Sequence, residues 1–169
     1  ANISQFFQMT YNEKLFEKAG ANKIVEMNHL EADDCLALTA KHLYDMNTEH
    51  IITIITSDHD YIQLSNDRIH LINLKYKSLL ESKAYMGDPK KDLFYKIILG
   101  DKSDNIIAVF DKCGKKTVEK CYNDIEFFSD KLKKENRTDR FELNKKLIHF
   151  DLIPKELVDL YYTSILVNL

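Results

Sequence analysis

Ile51-Ile52-Thr53-Ile54-Ile55-Thr56 is an unbroken β-branched run set between two stretches of helical periodicity. Such a run suits a strand covered on both faces, the environment of a parallel sheet, and it commits the chain to an α/β layer. Upstream, Ile3, Phe6, Phe7, Tyr11, Leu15 and Phe16 recur at helical spacing and stop at Gly20, which predicts an amphipathic helix over 3–18. Lys23 to Met27 is short and β-leaning, and Leu36, Ala40 and Leu43 predict a helix over 31–44. A short helix over 61–64 and a second strand over 69–74 follow. Asp88-Pro89 then opens a helix through Leu99, with Gly100 just past its end. Beyond that point strands cease, and residues 115–168 read as helices broken near Asn136 and at Pro154.

The expected fold class is therefore α/β: a parallel-sheet core over 1–100, followed by an all-helical region over 101–169. No repeat, low-complexity tract or flexible linker separates the two, so they are expected to pack together. About three strands is below the usual complement of such a sheet, and the expectation is that a strand or two precedes residue 1.

With 169 residues the chain can bury one sizeable core. The net charge of −3 hides an asymmetry. Residues 1–89 hold 8 basic against 13 acidic side chains, whereas 90–146 hold 15 against 11. An acidic half that holds metals joined to a basic half that holds phosphates fits this layout; solvated helix faces explain it equally well. Cys35, Cys113 and Cys121 form no C-x-x-C pair and leave an odd thiol, against both a zinc site and a disulfide framework. No apolar stretch has transmembrane length and no basic-then-apolar leader is present. The expectation is a cytoplasmic protein, of a bacterial or phage-infected cell.

Seven carboxylates fall in three tight groups, each at the edge of an apolar segment: Glu31, Asp33 and Asp34; Asp58 and Asp60; Asp101 and Asp104. The first group opens a helix, where one or two acids are explained by capping and the helix dipole, at about 0.3–1 kcal/mol each, but three are not. Asp58 and Asp60 leave the apolar run at the end where open parallel sheets bind ligands, although Ser57-Asp58-His59-Asp60 is also good turn chemistry. His59 is read as pointing outward. Asp101 and Asp104 follow a helix stop and by themselves read as a capping loop. Together the groups point to hard divalent cations with oxygen ligands, and to the phosphate chemistry those cations serve.

In order and spacing these groups resemble the 5′-nuclease superfamily, the flap endonucleases and 5′→3′ exonucleases, particularly its phage-type ribonuclease H/5′ exonuclease members. Glu31-Ala32-Asp33-Asp34 stands at a helix start. Ser57-Asp58-His59-Asp60 follows a strand and precedes Gln63-Leu64. Ile98-Leu99-Gly100-Asp101-Lys102-Ser103-Asp104-Asn105 matches the family's glycine–aspartate loop with its leucine one place nearer the glycine. Leu147 to Asp151 with Ile153-Pro154 is similar to the family's C-terminal helices, so the resemblance runs from about residue 15 to the end.

The resemblance implies a PIN-like nuclease core and two Mg²⁺ ions, replaceable by Mn²⁺. Glu31, Asp33 and Asp34 would serve one ion, and Asp58, Asp60, Asp101 and Asp104 the other, with Asp33, Asp34, Asp58 and Asp60 central to catalysis. Such ions activate water, clamp the scissile phosphate and stabilise the leaving 3′ oxygen. It also implies a helix–three-turn–helix over about 105–123, where Gly114, Lys115, Lys116 and Thr117 grip duplex DNA by its backbone. Family members often hold K⁺ there on carbonyls. One extra residue and fewer glycines over Ala108 to Thr117 weigh against that K⁺ site more than against the duplex contact.

Family members begin with an Asp-bearing strand and a basic arch, which no residue here matches, so this chain alone is expected to have weak or no activity. The implied activity is structure-specific 5′→3′ exonuclease and flap endonuclease hydrolysis of flapped or nicked DNA, or of RNA–DNA hybrids, by a monomer in replication or repair. Two other readings stay open: a non-catalytic duplex-DNA-binding module and a PIN-type ribonuclease.

Overall fold

The computed structural model describes residues 3–167. Helix α1 (Ile3–Asn12) and the single turn α2 (Leu15–Lys18) stand where one helix was expected. Lys14 between them adopts a left-handed conformation (φ 53°), which breaks the hydrogen-bond ladder that the periodicity alone would carry through. Lys23 to Met27 form no strand. Val25 and Met27 instead pack with Cys35, Leu38 and Tyr161, so their side chains are used while their backbone has no ladder to join.

Helix α3 (Ala32–Met46) leads into β1 (Ile52–Ile55), a 3-10 helix (His59–Leu64) and β2 (Ile69–Ile72). β1 and β2 pair in parallel with Ile52 opposite Ile69 and Ile55 opposite Ile72. They are the strands of the described residues, two where about three were expected. Only one face of β1 is covered. Ile54 is 5% exposed and packs with Ala37, Ala40, Ile69 and Leu71, while Ile55 on the other face is 59% exposed. The β-branched run correctly marked a strand, but its burial on both faces is not met among these residues.

Helix α4 (Pro89–Leu99) has Asp88 as N-cap, its carboxylate accepting from Lys90 N–H, and Gly100 at its end. Residues 101–114 carry no helix; α5 (Lys115–Asn123), α6 (Ile125–Lys134), α7 (Thr138–Ile148) and α8 (Lys155–Ser164) follow. The breaks at Asn136 (φ 53°) and Pro154 are as expected, and Asp124 adds another by capping α6 through Phe127 N–H.

A first apolar cluster joins α3, the two strands, the 3-10 helix and Phe150. A second joins Tyr95 and Ile98 of α4 to Val109, Phe110, Val118, Phe128 and Leu132. Because α4 also packs on the 3-10 helix, it ties the sheet layer to the helical region. The general architecture is thus a small parallel sheet followed by helices. The three cysteines are free thiols, and among the described residues no helix is long and apolar enough to cross a membrane.

Candidate metal centre

Where β1 ends, the backbone is turned by its own side chains. Asp58 N–H donates to Thr56 Oγ1 (3.0 Å), and Asp58 Oδ1 accepts from Asp60 N–H (2.9 Å), capping the 3-10 helix. Tyr61, Ile62 and Leu64 sink that helix into the core. Gln63 ties it to the distant α7 end: its Nε2 donates to Ile148 O and its Oε1 accepts from Phe150 N–H, both at 3.0 Å. Asp60 is thereby fixed in the first turn with its carboxylate turned towards α4. His59 is exposed, as read.

The loop after α4 supplies the next two acids. Gly100 has φ 70° and ψ −174°, a region essentially confined to glycine, and a Cβ there would lie 2.3 Å from Ile106 O. That close approach lets Asp101 and Ile106 exchange both backbone hydrogen bonds (2.9 and 2.7 Å), closing a tight loop. Ser103 donates to Asp101 Oδ1 through its N–H (2.8 Å) and through its hydroxyl.

Lys96, in the last turn of α4, places its ammonium between two of the acids. It hydrogen-bonds Asp60 and lies 2.8 Å from Asp101 Oδ2. The Lys96 ammonium, with Ser103, holds the Asp101 carboxyl well below the usual carboxylate range. Asp60, Asp101 and Asp104 each offer an oxygen within 4.8 Å of the others. The first two are half-buried and Asp104 is exposed. An all-carboxylate donor set that already attracts an ammonium fits a hard divalent cation such as Mg²⁺ or Mn²⁺.

The acids at the start of α3 have a different setting. Asp34 Oδ2 accepts from Glu31 N–H (3.1 Å), and Asp33 Oδ1 accepts from Asp34 N–H (3.0 Å), so both carboxylates help cap the helix. Burial pushes the Asp34 carboxyl up, the Glu31 N–H opposes this, and the neighbouring Asp33 charge adds to it. The Tyr61 hydroxyl is pushed up to about 12, first by burial and then by the charges of Asp33, Asp58 and Asp34. The structure therefore brings Asp60, Asp101 and Asp104 together, with Asp58 bonded to the Asp60 backbone and Asp33 and Asp34 engaged at the start of α3. Glu31 lies exposed at the cap.

Gly114 is the N-cap of α5, Lys115 and Lys116 are exposed in its first turn, and Thr117 N–H donates to Gly114 O (2.9 Å). Two further basic residues of the helical region have internal partners: Lys131 lies 4.6 Å above the Phe110 ring and pairs with Glu135, and Arg137 pairs with Asp111. Lys96 and Tyr61 were not singled out from sequence. The sequence signal for Lys96 is its place in the last turn of a helix, where a cation complements the dipole. Tyr61 reads simply as an apolar residue of a short helix.

Residues 5–91 match the family model described as the 5′-3′ exonuclease, N-terminal resolvase-like domain. The 5′-3′ exonuclease of Buchnera aphidicola subsp. Baizongia pistaciae is 34% identical over 117 residues, 61% of this chain and 38% of that protein. The thermostable DNA polymerase I of Thermus aquaticus is 30% identical over 149 residues, 85% of this chain and 17% of that protein. The chain thus spans well under half the length of these relatives. A structure of the bacteriophage T5 flap endonuclease in a pseudo-enzyme-product complex with DNA and metal ions superposes with a TM-score of 0.71 at 17% identity. That match covers 96% of this chain and 68% of the phage protein, and establishes a shared fold. With more than half its length matched by the family model, the chain belongs to the 5′-3′ exonuclease, N-terminal resolvase-like domain family.

Proposed function

We propose that this chain carries the catalytic centre of a structure-specific 5′→3′ exonuclease and flap endonuclease. Its substrate class is flapped or nicked DNA, or an RNA–DNA hybrid, and its context is replication or repair. The observation that carries the reading is the convergence of Asp60, Asp101 and Asp104 on one point beyond the carboxyl end of β1. The names of its relatives, an exonuclease and a flap endonuclease seen with DNA and metal ions, support the same chemistry.

In this reading Asp58, Asp60, Asp101 and Asp104 serve one divalent ion, and Glu31, Asp33 and Asp34 a second. Bound there, Mg²⁺ or Mn²⁺ makes water more acidic and offsets charge at the scissile phosphate. The chain's own residues orient the site. Asp58 caps the turn that presents Asp60, Ser103 fixes Asp101, and Lys96 offsets part of the charge of Asp60 and Asp101. We further read the sheet layer as PIN-like and residues 105–123, a loop leading into α5, as the helix–three-turn–helix. Lys115, Lys116 and Thr117 then hold duplex phosphates in a sequence-blind, salt-sensitive grip.

The test is incubation with labelled 5′-flap DNA, an RNA–DNA hybrid and single-stranded RNA, with and without Mg²⁺, alongside Asp58→Ala and Asp101→Ala. Mg²⁺-dependent cleavage of the first two, lost in both variants, supports the reading. Duplex binding without cleavage fits either a nuclease core with weak or no activity by itself or the non-catalytic module, and cleavage confined to single-stranded RNA favours a PIN-type ribonuclease.

A further inference from the structure

We propose that Asn144, on α7, is a positioning residue of the centre: its buried amide ties both ends of the Asp101–Asp104 loop to one point and thereby sets these two acids for a divalent ion. The inference rests on the metal-dependent reading above.

Asn144 is 1% exposed, and its amide bonds go to backbone carbonyls. Its Nδ2 donates to Ile97 O (2.9 Å), in the last turn of α4, and to Ile107 O (2.8 Å), where the loop returns to the core. A side-chain amide supplies two donors from one nitrogen without bringing a charge into the core. An aspartate would turn acceptors towards two carbonyls, and a leucine would remove both bonds and leave the buried Ile97 carbonyl unpaired.

The clamp completes a set. The last carbonyls of α4 need partners that the helix cannot provide. Lys96 O receives Gly100 N–H and Ile98 O receives Val109 N–H, each at 2.8 Å. Ile97 O is left to Asn144. Within those anchors the Asp101–Ile106 backbone pair closes the loop, and Gly100 allows its two arms to touch. Asn144 Oδ1 meanwhile has no hydrogen-bond partner. A buried acceptor without a partner is unfavourable, so this side chain is placed for its two donated bonds rather than for its own satisfaction. The bond to Ile97 O also steadies the turn carrying Lys96, whose ammonium holds Asp60 and Asp101.

The test uses the metal-stripped chain and Asn144→Ala, Asn144→Ser and Asp104→Asn. Leu166→Ala, a core change remote from the loop, is the control for general destabilisation. Without metal, hydrogen exchange at the Asp101 and Ile106 amides is expected to accelerate about tenfold in Asn144→Ala, less in Asn144→Ser, and not selectively in Leu166→Ala. In Mn²⁺ titrations read by electron paramagnetic resonance, Asn144→Ala should weaken about tenfold the same binding step that Asp104→Asn weakens, and the two changes should be non-additive. Unchanged amide exchange in Asn144→Ala overturns the clamp. Faster exchange with wild-type Mn²⁺ affinity overturns the positioning role while leaving the metal centre intact. A wild-type chain whose Mn²⁺ binding ignores Asp104→Asn overturns the metal-dependent reading and the positioning role with it.

Discussion

At the start of α3, Asp33 and Asp34 accept backbone N–H groups, and burial pushes Asp34 upwards. After α4, Asp101 meets the Lys96 ammonium and Ser103, which hold it far down. Among the described residues no cationic side chain pairs with the first segment, whose carboxylates instead meet the free N–H groups a helix offers at its first turn. The second is an irregular loop that has to be closed, fixed at both ends and neutralised by a lysine from the preceding helix. Clustered carboxylates can therefore rest on backbone geometry or on a specific counter-charge, and the two kinds respond differently to mutation and to pH.

The largest effect is expected from Gly100→Ala. Forcing a side chain into its backbone conformation costs roughly 1–3 kcal/mol, and the approach to Ile106 O adds a clash. Thermal unfolding should show the midpoint falling by at least several degrees, with Asp101 and Ile106 amide protection lost while the α3 cap stays protected.

Lys96→Met comes next. Removing a charged donor from two half-buried carboxylates should cost about 2 kcal/mol in chelator, and Mn²⁺ should restore more of that stability than it adds to the wild type. Urea unfolding with and without Mn²⁺ reads both; an unchanged midpoint in chelator would break the contrast between the two segments.

A smaller effect separates the acids by pH, again in chelator. Asp101 has a lowered pKa, so its contribution is present above the ordinary value of 3.8 and is lost as pH falls through the folded value. The advantage of wild type over Asp101→Asn should thus shrink as the medium is acidified below that value. Asp34 has a raised pKa, so its ionisation opposes folding once pH exceeds the folded value and has no effect below 3.8. Asp34→Asn, which can still accept from Glu31 N–H, should therefore gain on wild type as pH rises from acid to neutral. Slopes of the same sign in paired urea titrations would remove the distinction.

The smallest effect on stability is expected from Lys115→Ala and Lys116→Ala, since both side chains are exposed. Under the proposed function each should weaken duplex binding and reduce the slope of log affinity against log salt by about 1. Fluorescence anisotropy over a salt series measures this, and an unchanged slope would detach the α5 start from the nucleic-acid surface.

Much of this molecule is legible in its residues because the governing interactions are local. The β-branched run marks β1, Asp88-Pro89 and Gly100 bracket α4, and Asn136 and Pro154 break the later helices at the positions read. The three acidic groups are visible because each follows or opens a regular element. The misreadings have a common cause. Periodicity carries one helix through Lys14 and both-face burial onto β1, but neither a left-handed residue nor an uncovered sheet face leaves a trace in hydrophobic spacing.

Sequence by itself determined the type of most elements, with Lys23 to Met27 the exception, together with the caps and the identity of the acids, since these depend on neighbours within a few positions. Tertiary structure decided which acids meet. Asp60 and Asp101 lie 41 positions apart, and a lysine on a third element brings them to one point. The same holds for Asn144, unremarkable in sequence, which reaches carbonyls 47 and 37 residues away. Contacts at that separation are set by how α4 and α7 pack, and packing is a property of the whole core rather than of any one segment.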